Sequence, residues 1–510
     1  MYPGTFAGAS PDKPALIMAA SGVTVTYGEL ETRSIRLAHY FGAIGLQRGD
    51  HVALVSTNEP EIFEIYWAAM RSGLYFTAVN SHLTAPEMAY IIDDCEAKAA
   101  IFSSSLRDIA LDDELVDGTP RVRHRLAFGG EITGHTLLDV AVRNMSSEPP
   151  ADQPRGADML YSSGTTGKPK GIEPSLPDRQ IHEPGDTMTA LASAKWGFTE
   201  QTIYLSPAPL YHAAPLRTCA AVHALGGTAV VMDRFDPEKA LQHIEDFRIT
   251  HSQWVPTMFV RMLKLPEHVR SGYDTTSMQA AIHAAAPCPV EVKRAMIGWW
   301  GPIFLEYYSS TELNGMTLIT SEEWCRKPGS VGRDDVIGTA HICDETGTEL
   351  PAGEIGLLYF ERPELPFEYH NDPSKTAGAQ HPAHSTWTTT GDMGYLDDDR
   401  YLFLTDRKSF MIISGGVNIY PQEIENLLTL HPAILDIAVI GEPHAEMGES
   451  VLAVIQPADA DADHASTEAA IRDLADRSLA RYKRPRRYLF VDQLPRTPTG
   501  KLAKHRILAP

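Results

Sequence analysis

Eleven consecutive residues, Tyr161-Ser162-Ser163-Gly164-Thr165-Thr166-Gly167-Lys168-Pro169-Lys170-Gly171, concentrate glycines, small hydroxyls and two lysines. A loop of this composition can turn its backbone N–H groups onto phosphate oxygens, while hydroxyls and ammonium groups add donors and positive charge. The apolar step Met159-Leu160-Tyr161 in front of it predicts that the loop leaves a strand. Its spacing is not that of a Walker A loop, because Gly164 and Gly167 are too close and Lys168 precedes Pro169 rather than Ser or Thr. Phosphate binding is therefore expected without a P-loop NTPase fold. Taken alone, the composition also fits an exposed surface loop.

The loop resembles the phosphate-binding signature of the superfamily of AMP-forming acyl-CoA synthetases, peptide-synthetase adenylation domains and luciferase. The match recurs in family order along most of the chain. Thr24-Val25-Thr26-Tyr27-Gly28-Glu29-Leu30 comes first, then Pro209-Leu210-Tyr211-His212, Ala284-Ala285-Ala286-Pro287 and Tyr307-Tyr308-Ser309-Ser310-Thr311-Glu312. Thr390-Gly391-Asp392, Asp406-Arg407-Lys408, Ser414-Gly415-Gly416-Val417-Asn418-Ile419-Tyr420-Pro421 and Pro495-Arg496-Thr497-Pro498-Thr499-Gly500-Lys501 follow. So many ordered motifs do not coincide by chance. Thr250-His251-Ser252-Gln253-Trp254-Val255-Pro256-Thr257-Met258-Phe259 further resembles the fatty-acyl-CoA synthetase branch.

The resemblance implies a two-step ligase that uses ATP, Mg²⁺ and CoA. A carboxylate attacking the α-phosphorus meets charge repulsion, and the transition state gathers negative charge on its equatorial oxygens. Ser162, Ser163, Gly164, Thr165, Thr166, Gly167 and Lys168 are then phosphate ligands. Glu312 offers Mg²⁺ a hard carboxylate oxygen, with Thr166 as a hydroxyl on the same side. Asp392 is expected on the ribose hydroxyls and Arg407 on ribose or phosphate. Local sequence alone also allows Asp392 a turn-stabilising role and Arg407 a surface ion pair. Tyr308 is the adenine platform, with Ala285, Ala286 and Pro287 as a small-residue wall, and Ser309 and Thr311 complete the nucleotide site. Lys501 reads as a solvated tail on its own, but in its motif it is the ammonium that meets the α-phosphate and the substrate carboxylate together.

The second half-reaction implies rotation of a small C-terminal domain. Gly415 and Gly416 would let the pantetheine arm of CoA approach, since glycine lacks Cβ, and Lys483 is a further cofactor contact. Ser409 stands at the hinge, where the family usually has Asp or Lys, followed by Phe410. Hinge positions need not be charged.

The acyl pocket is expected where His212, Trp254, Met258, Tyr307 and Ser309 converge, with His212 as a catalytic gate or a structural histidine. No charged residue is committed to its far end, so the tail of the acid is expected to be apolar. That admits a medium- or long-chain fatty acid or a bulky aryl, branched or steroid-type acid. A ligase loading a carrier protein would share the front half, but no carrier segment follows Lys501. A luciferase-like oxygenase would share the motifs too. A non-catalytic binding protein is disfavoured by the joint presence of Lys168, Glu312, Asp392, Arg407 and Lys501.

These residues need a large frame, and 510 residues supply one. Val52–Val55, Ala99–Phe102, Thr202–Leu205 and Thr228–Met232 read as buried strands alternating with helices. One such helix is expected to run from Asn58 through Glu59, Pro60 and Glu61 into Ile62–Met70, with Asn58 as its cap, Pro60 near its first position and acidic residues in its first turn. The expected fold is α/β, with a large N-terminal domain of two α/β sheets (1–336), a β-rich subdomain (337–405), a hinge (406–409) and a small mobile α+β domain (410–510). In the last of these, Ile424–Leu428 and Ala469–Tyr482 read as helices and Ile434–Ile440 as a strand.

Forty-four Lys and Arg against 66 Asp and Glu leave a formal charge of −22, which disfavours nucleic acid as a partner. The five cysteines are scattered singly, without zinc-site or disulfide spacing. No apolar run is long enough to span a bilayer, and the first residues lack a signal-peptide pattern. The expectation is a cytoplasmic protein whose partners are a small carboxylic acid, ATP and CoA, with a homodimer left open.

Overall fold

A computed structural model of the chain describes residues 2–162, 169–407, 409–496 and 502–507. Ser163, Gly164, Thr165, Thr166, Gly167, Lys168 and Lys501 of the expected site therefore lie outside the described residues. The architecture is mixed α/β, with a large N-terminal part built on sheets and a small α+β part at the C-terminus. Two compact units are interleaved in sequence. One comprises Met1–Gln253, Gly272–Ala281 and Pro366–Thr376, and the other Trp254–Ser271, Ile282–Leu365 and Ala377–Pro510.

In the first unit, six parallel strands run in the order Thr136–Leu137, His124–Phe128, Ala99–Ser103, His51–Val55, Tyr75–Val79, Ala157–Asp158. The three strands over 51–55, 75–79 and 99–103 are buried at every position. That is why their sequences are nearly continuous apolar runs rather than alternating ones. Helices Tyr27–Ala43 and Ala85–Asp94 each begin with a capping box, Thr26 with Glu29 and Thr84 with Glu87. A further run sets Ile203–Ser206, Thr228–Val231 and Pro14–Met18 in parallel. A small antiparallel sheet joins Leu160–Ser162, Lys170–Glu173 and Glu368–Tyr369, with Ser162 opposite Lys170 and Ile172 opposite Tyr369.

Asn58 corrects the sequence reading. The helix spans Glu61–Arg71 with Pro60 in the cap position and no side-chain cap bond. Asn58 is buried instead, its Nδ2 donating to the carbonyls of Ala208 (3.2 Å) and Met232 (2.8 Å), and its Oδ1 accepting from the N–H of Leu210 (2.8 Å). A cap would use only the acceptor, whereas this position satisfies both ends of the amide.

In the second unit the β-rich texture expected after Ile337 is an antiparallel run. Its order is Thr339–Cys343, Gly356–Glu361, Asp392–Leu396, Tyr401–Arg407, Gly332–Ile337, Met316–Thr320, Phe304–Ser309. The strand ending at Arg407 carries through the first two positions of the expected hinge. The C-terminal part orders Val417–Ile419, Ile412–Ser414, Gly448–Pro457 and Ile434–His444, with Arg487–Phe490 parallel to Gly448–Pro457. Its second helix runs over His464–Ser478, earlier than the sequence suggested, because Asp463 caps it by accepting from the N–H groups of Ala465 and Ser466.

Candidate active site

The best-defined cluster lies in the second unit, around one carboxylate. Strands Asp392–Leu396 and Tyr401–Arg407 place Asp392 opposite Arg407 in the antiparallel ladder. Arg407 Nε donates to Asp392 Oδ1 at 3.0 Å. Tyr308 Oη and Thr390 Oγ1 both donate to Oδ2, at 2.7 and 2.8 Å. Gly391, at φ 87°, makes the turn that brings Thr390 back onto Asp392.

Three donors leave lone pairs on a carboxylate that can accept about four bonds, so Asp392 keeps capacity for ligand hydroxyls. Burial, then the adjacent Asp392 charge, raises the Tyr308 phenol well above its ordinary value. The Asp392 charge also raises the Arg407 guanidinium, with a smaller contribution from Glu312. Both groups are therefore held as donors at neutral pH.

Tyr308 comes from the strand Phe304–Ser309, and its ring stacks on Phe360 at 6.2 Å and 27°. Two non-glycine residues in the left-handed region lie in or beside the expected motifs, Ala285 within Ala284–Pro287 at φ 75° and Leu313, next to Glu312, at φ 50°. Such backbone costs about 1–3 kcal/mol per residue and persists where the surroundings impose it. Glu312 is buried at 9% exposure. Among the described residues no group of three metal-ligating side chains is present. A single buried carboxylate fits Mg²⁺, which usually takes one or two carboxylates and fills its sphere with phosphate oxygens and water.

Trp254, Met258 and Tyr307 are buried, and Trp254 lies edge-on to Trp300 at 5.8 Å and tilted against Phe259 at 6.2 Å. The Ser309 hydroxyl donates to the carbonyl of Gly315 at 2.7 Å, so it serves its own turn. In the first unit, Ser162 ends its strand, and His212 occupies the cap position of helix Ala213–Ala224 with its ring 4.5 Å from Tyr211.

Gly415 and Gly416, at φ 59° and 78°, form a hairpin turn that needs positive φ at both positions. A Cβ on Gly415 would collide with the Met447 side chain, whereas one on Gly416 would meet open space. Lys483 is in an ion pair with Glu423 at 2.6 Å. Ser409 is exposed, one residue before Phe410, whose N–H donates to the Arg407 carbonyl at 2.9 Å. Beside it the Asp406 carboxylate, pushed up by burial, accepts from the N–H groups of Arg407 (2.7 Å) and Gln422 (3.2 Å).

Sequence reasoning did not single out Thr390 or Phe360. Thr390 was legible, because a hydroxyl two residues before an Asp across a glycine is placed to bond back to it. Nothing in sequence tied Phe360 to Tyr308, 52 positions earlier.

The AMP-binding enzyme family matches residues 5–370, and the AMP-binding enzyme C-terminal domain matches residues 423–501. Over 97% of its length the chain is 30% identical to the long-chain-fatty-acid–CoA ligase FadD13 of Mycobacterium tuberculosis, covering 95% of that protein. It is 32% identical to a feruloyl-CoA synthase of Amycolatopsis sp over 95% of this chain and 93% of that one. The solved structure of ATP-bound MatB from Rhodopseudomonas palustris superposes with a TM-score of 0.80 at 31% identity, covering 99% of this chain and 98% of that one. With the motifs, the fold and these relatives in agreement, the chain belongs to the AMP-binding enzyme family and is an AMP-forming acid–CoA ligase of the adenylate-forming superfamily.

Proposed function

We propose that the chain joins a carboxylic acid with an apolar tail to CoA, a medium- or long-chain fatty acid first and a bulky aryl, branched or steroid-type acid second. The observation that carries this reading is the burial of Trp254, Met258 and Tyr307, with Trp254 packed on Trp300 and Phe259. These residues offer a substrate tail apolar contact and no counter-charge. In the first step a carboxylate oxygen bonds to the α-phosphorus of ATP and pyrophosphate leaves. In the second the CoA thiolate attacks the acyl carbonyl and AMP leaves.

Asp392 and Arg407 hold the ribose, Tyr308 holds the adenine against Ala285, Ala286 and Pro287, and Ser162 to Lys168 with Thr311 hold phosphates. Glu312 and Thr166 are the residues that would hold Mg²⁺, which supplies charge neutralisation on the polyphosphate when bound. Lys501 brings a positive charge to the reacting oxygens, and His212 has the role of the catalytic gate. Ser409 is the pivot that exchanges Lys501 for the Gly415–Gly416 turn between the two steps. The reading places the enzyme in the cytoplasm, as a monomer or homodimer. No helix among the described residues is long and apolar enough to cross a membrane.

The test is a panel of carboxylic acids assayed for AMP release with and without CoA. Release that needs both an apolar acid and CoA is expected. Release with holo-acyl carrier protein in place of CoA would reassign the acceptor, and no release with any acid would overturn the reading.

A further inference from the structure

The small-residue wall expected against the adenine, Ala284–Pro287, is bracketed by residues that face one buried carboxylate. His283 ends the strand Ala280–His283 just before it, and the helix Val290–Trp300 follows it. Lys293, one turn into that helix, donates from Nζ to Glu306 Oε2 at 2.6 Å. His283 Nε2 lies 3.7 Å from the same oxygen, and burial, then the Lys293 charge, holds the imidazole well below its ordinary value and so neutral. Cys288, on the other side of the wall, feels the same carboxylate, its thiol raised by burial first and by the Glu306 charge second. Between these ends the chain passes through Ala285 at φ 75°, left-handed backbone of the kind that persists where the surroundings impose it.

Glu306 belongs to the strand Phe304–Ser309, two residues before Tyr308 and therefore on the same face of it. That strand is anchored at its start, where Ser321 Oγ accepts from the N–H of Phe304 at 2.9 Å and donates to its carbonyl at 3.0 Å. Lys293 is fully shielded from solvent, with the Trp324 ring centre 5.0 Å from its Nζ. The strand that carries the Tyr308 ring is thus tied to the helix that leaves the wall. Stability does not account for charges here, because an apolar pair of similar volume often serves a core as well or better. An ion pair adds direction and one fixed separation, whereas apolar attraction is non-directional.

We propose that Lys293 and Glu306 are positioning residues that set the gap between the Ala285–Pro287 wall and the Tyr308 ring, and through it the affinity for a planar base. The proposal rests on the nucleotide assignment above, in which adenine lies between these two surfaces. Stacking rewards a base only at contact distance, and a gap wider by about 0.5–1 Å forfeits a quarter to a half of the dispersion well. The pair acts through the two elements it joins, not by contact with the nucleotide.

The test is equilibrium titration of the full chain with ATP and with ribose 5-triphosphate, which keeps the ribose and the phosphates and lacks the base. Wild type is expected to prefer ATP. Lys293→Met/Glu306→Leu, its folding checked by urea unfolding, is expected to bind ATP about tenfold more weakly, within the span of one stacked base, with ribose 5-triphosphate unchanged. Lys293→Gln/Glu306→Gln keeps a hydrogen bond between the two positions, and its expected loss is about threefold, again for ATP alone. A merely structural pair would weaken both ligands alike or neither. Equal losses for the two ligands, or wild-type ATP affinity in whichever double variants fold, would therefore overturn the proposal. No preference for ATP in wild type would overturn the adenine placement, and this proposal with it, whereas a wild-type preference that survives both double variants overturns the proposal alone.

Discussion

Arg407 and Asp392 face each other across an antiparallel ladder, Nε to Oδ1 at 3.0 Å, at the point where two other donors close on the second carboxylate oxygen. The carboxylate is thereby aimed before any ligand arrives, so ordering it costs nothing when a ligand binds.

Asp392→Asn keeps the shape of this cluster and removes its charge. The amide presents one oxygen where the carboxylate had two, and its NH₂ group meets a donor on the other side. We expect the KM for ATP to rise by about 10- to 100-fold, on the order of 1.5–3 kcal/mol for bonds to a charged group, with a smaller effect on the KM for the acid. Steady-state kinetics at varied ATP check it, and an unchanged KM for ATP would remove Asp392 from the nucleotide site.

Tyr308→Phe keeps the ring on Phe360 and deletes one of the three donors to Asp392. The expected loss is about tenfold in kcat/KM for ATP, with a fall in stability of about 1 kcal/mol. If the ring alone matters, both quantities will match wild type.

Lys501→Ala removes the charge proposed to join the phosphate and carboxylate in the first step only. Acid- and ATP-dependent pyrophosphate release should fall by about two to three orders of magnitude, the scale of one lost electrostatic donor. Turnover of a supplied acyl adenylate with CoA should persist. Equal loss of both half-reactions would show that Lys501 does not act in the first step alone.

The second unit contains a buried ion pair, Lys293 Nζ to Glu306 Oε2 at 2.6 Å, with both side chains almost fully shielded from solvent. Lys293→Met leaves the Glu306 carboxylate without its partner. A destabilisation of about 3–5 kcal/mol is expected, much of it recovered in the double variant Lys293→Met/Glu306→Leu. Urea unfolding of the single and double variants measures both.

Acid should weaken the first unit through three buried imidazoles. Burial pushes His51, His223 and His251 down from 6.5 to about 4, about 3 and about 4. Their native forms are neutral, and unfolding lets them bind protons. The stability they permit is complete above pH 6.5 and is lost as pH falls toward the folded values. His370, raised by its bond to Glu173, runs the other way, adding stability below its ordinary value that fades as pH rises through the raised one. Glu64, raised to about 8 by burial, also gains stability as pH falls; the three imidazoles together outweigh these two opposing groups, so the stability measured by urea unfolding should drop between pH 7.5 and pH 5, by less than about 2 kcal/mol per imidazole. A flat profile over that window would contradict their neutral burial.

The cluster proposed for the nucleotide was legible in sequence because its members sit in short motifs. Asp392 sits in a glycine turn and Tyr308 and Glu312 share one short motif, so residue type and spacing carry the signal. Other features were not legible, because the same residue type serves two ends. Asn58 looks like a helix cap, yet its amide clamps Ala208, Leu210 and Met232, more than 140 positions away. Lys293 and Glu306 look like surface charges until the fold buries them together. The strands were legible where both faces are covered, at 51–55 and 99–103, because burial on both sides leaves no alternation to misread.

The pairing of Ile172 with Tyr369 sets an order on how the molecule is born. A ribosome delivers the chain from its N-terminus at about 5–20 residues per second. The strand that follows the glycine-rich loop must therefore wait for nearly two hundred further residues before its neighbour exists. During those seconds Lys170–Glu173 has an open edge on that side, the kind of surface on which nascent chains pair wrongly. Truncation anywhere before residue 369 should leave that edge permanently uncovered, so shortened forms of this protein are expected to associate with one another rather than to fold as smaller enzymes.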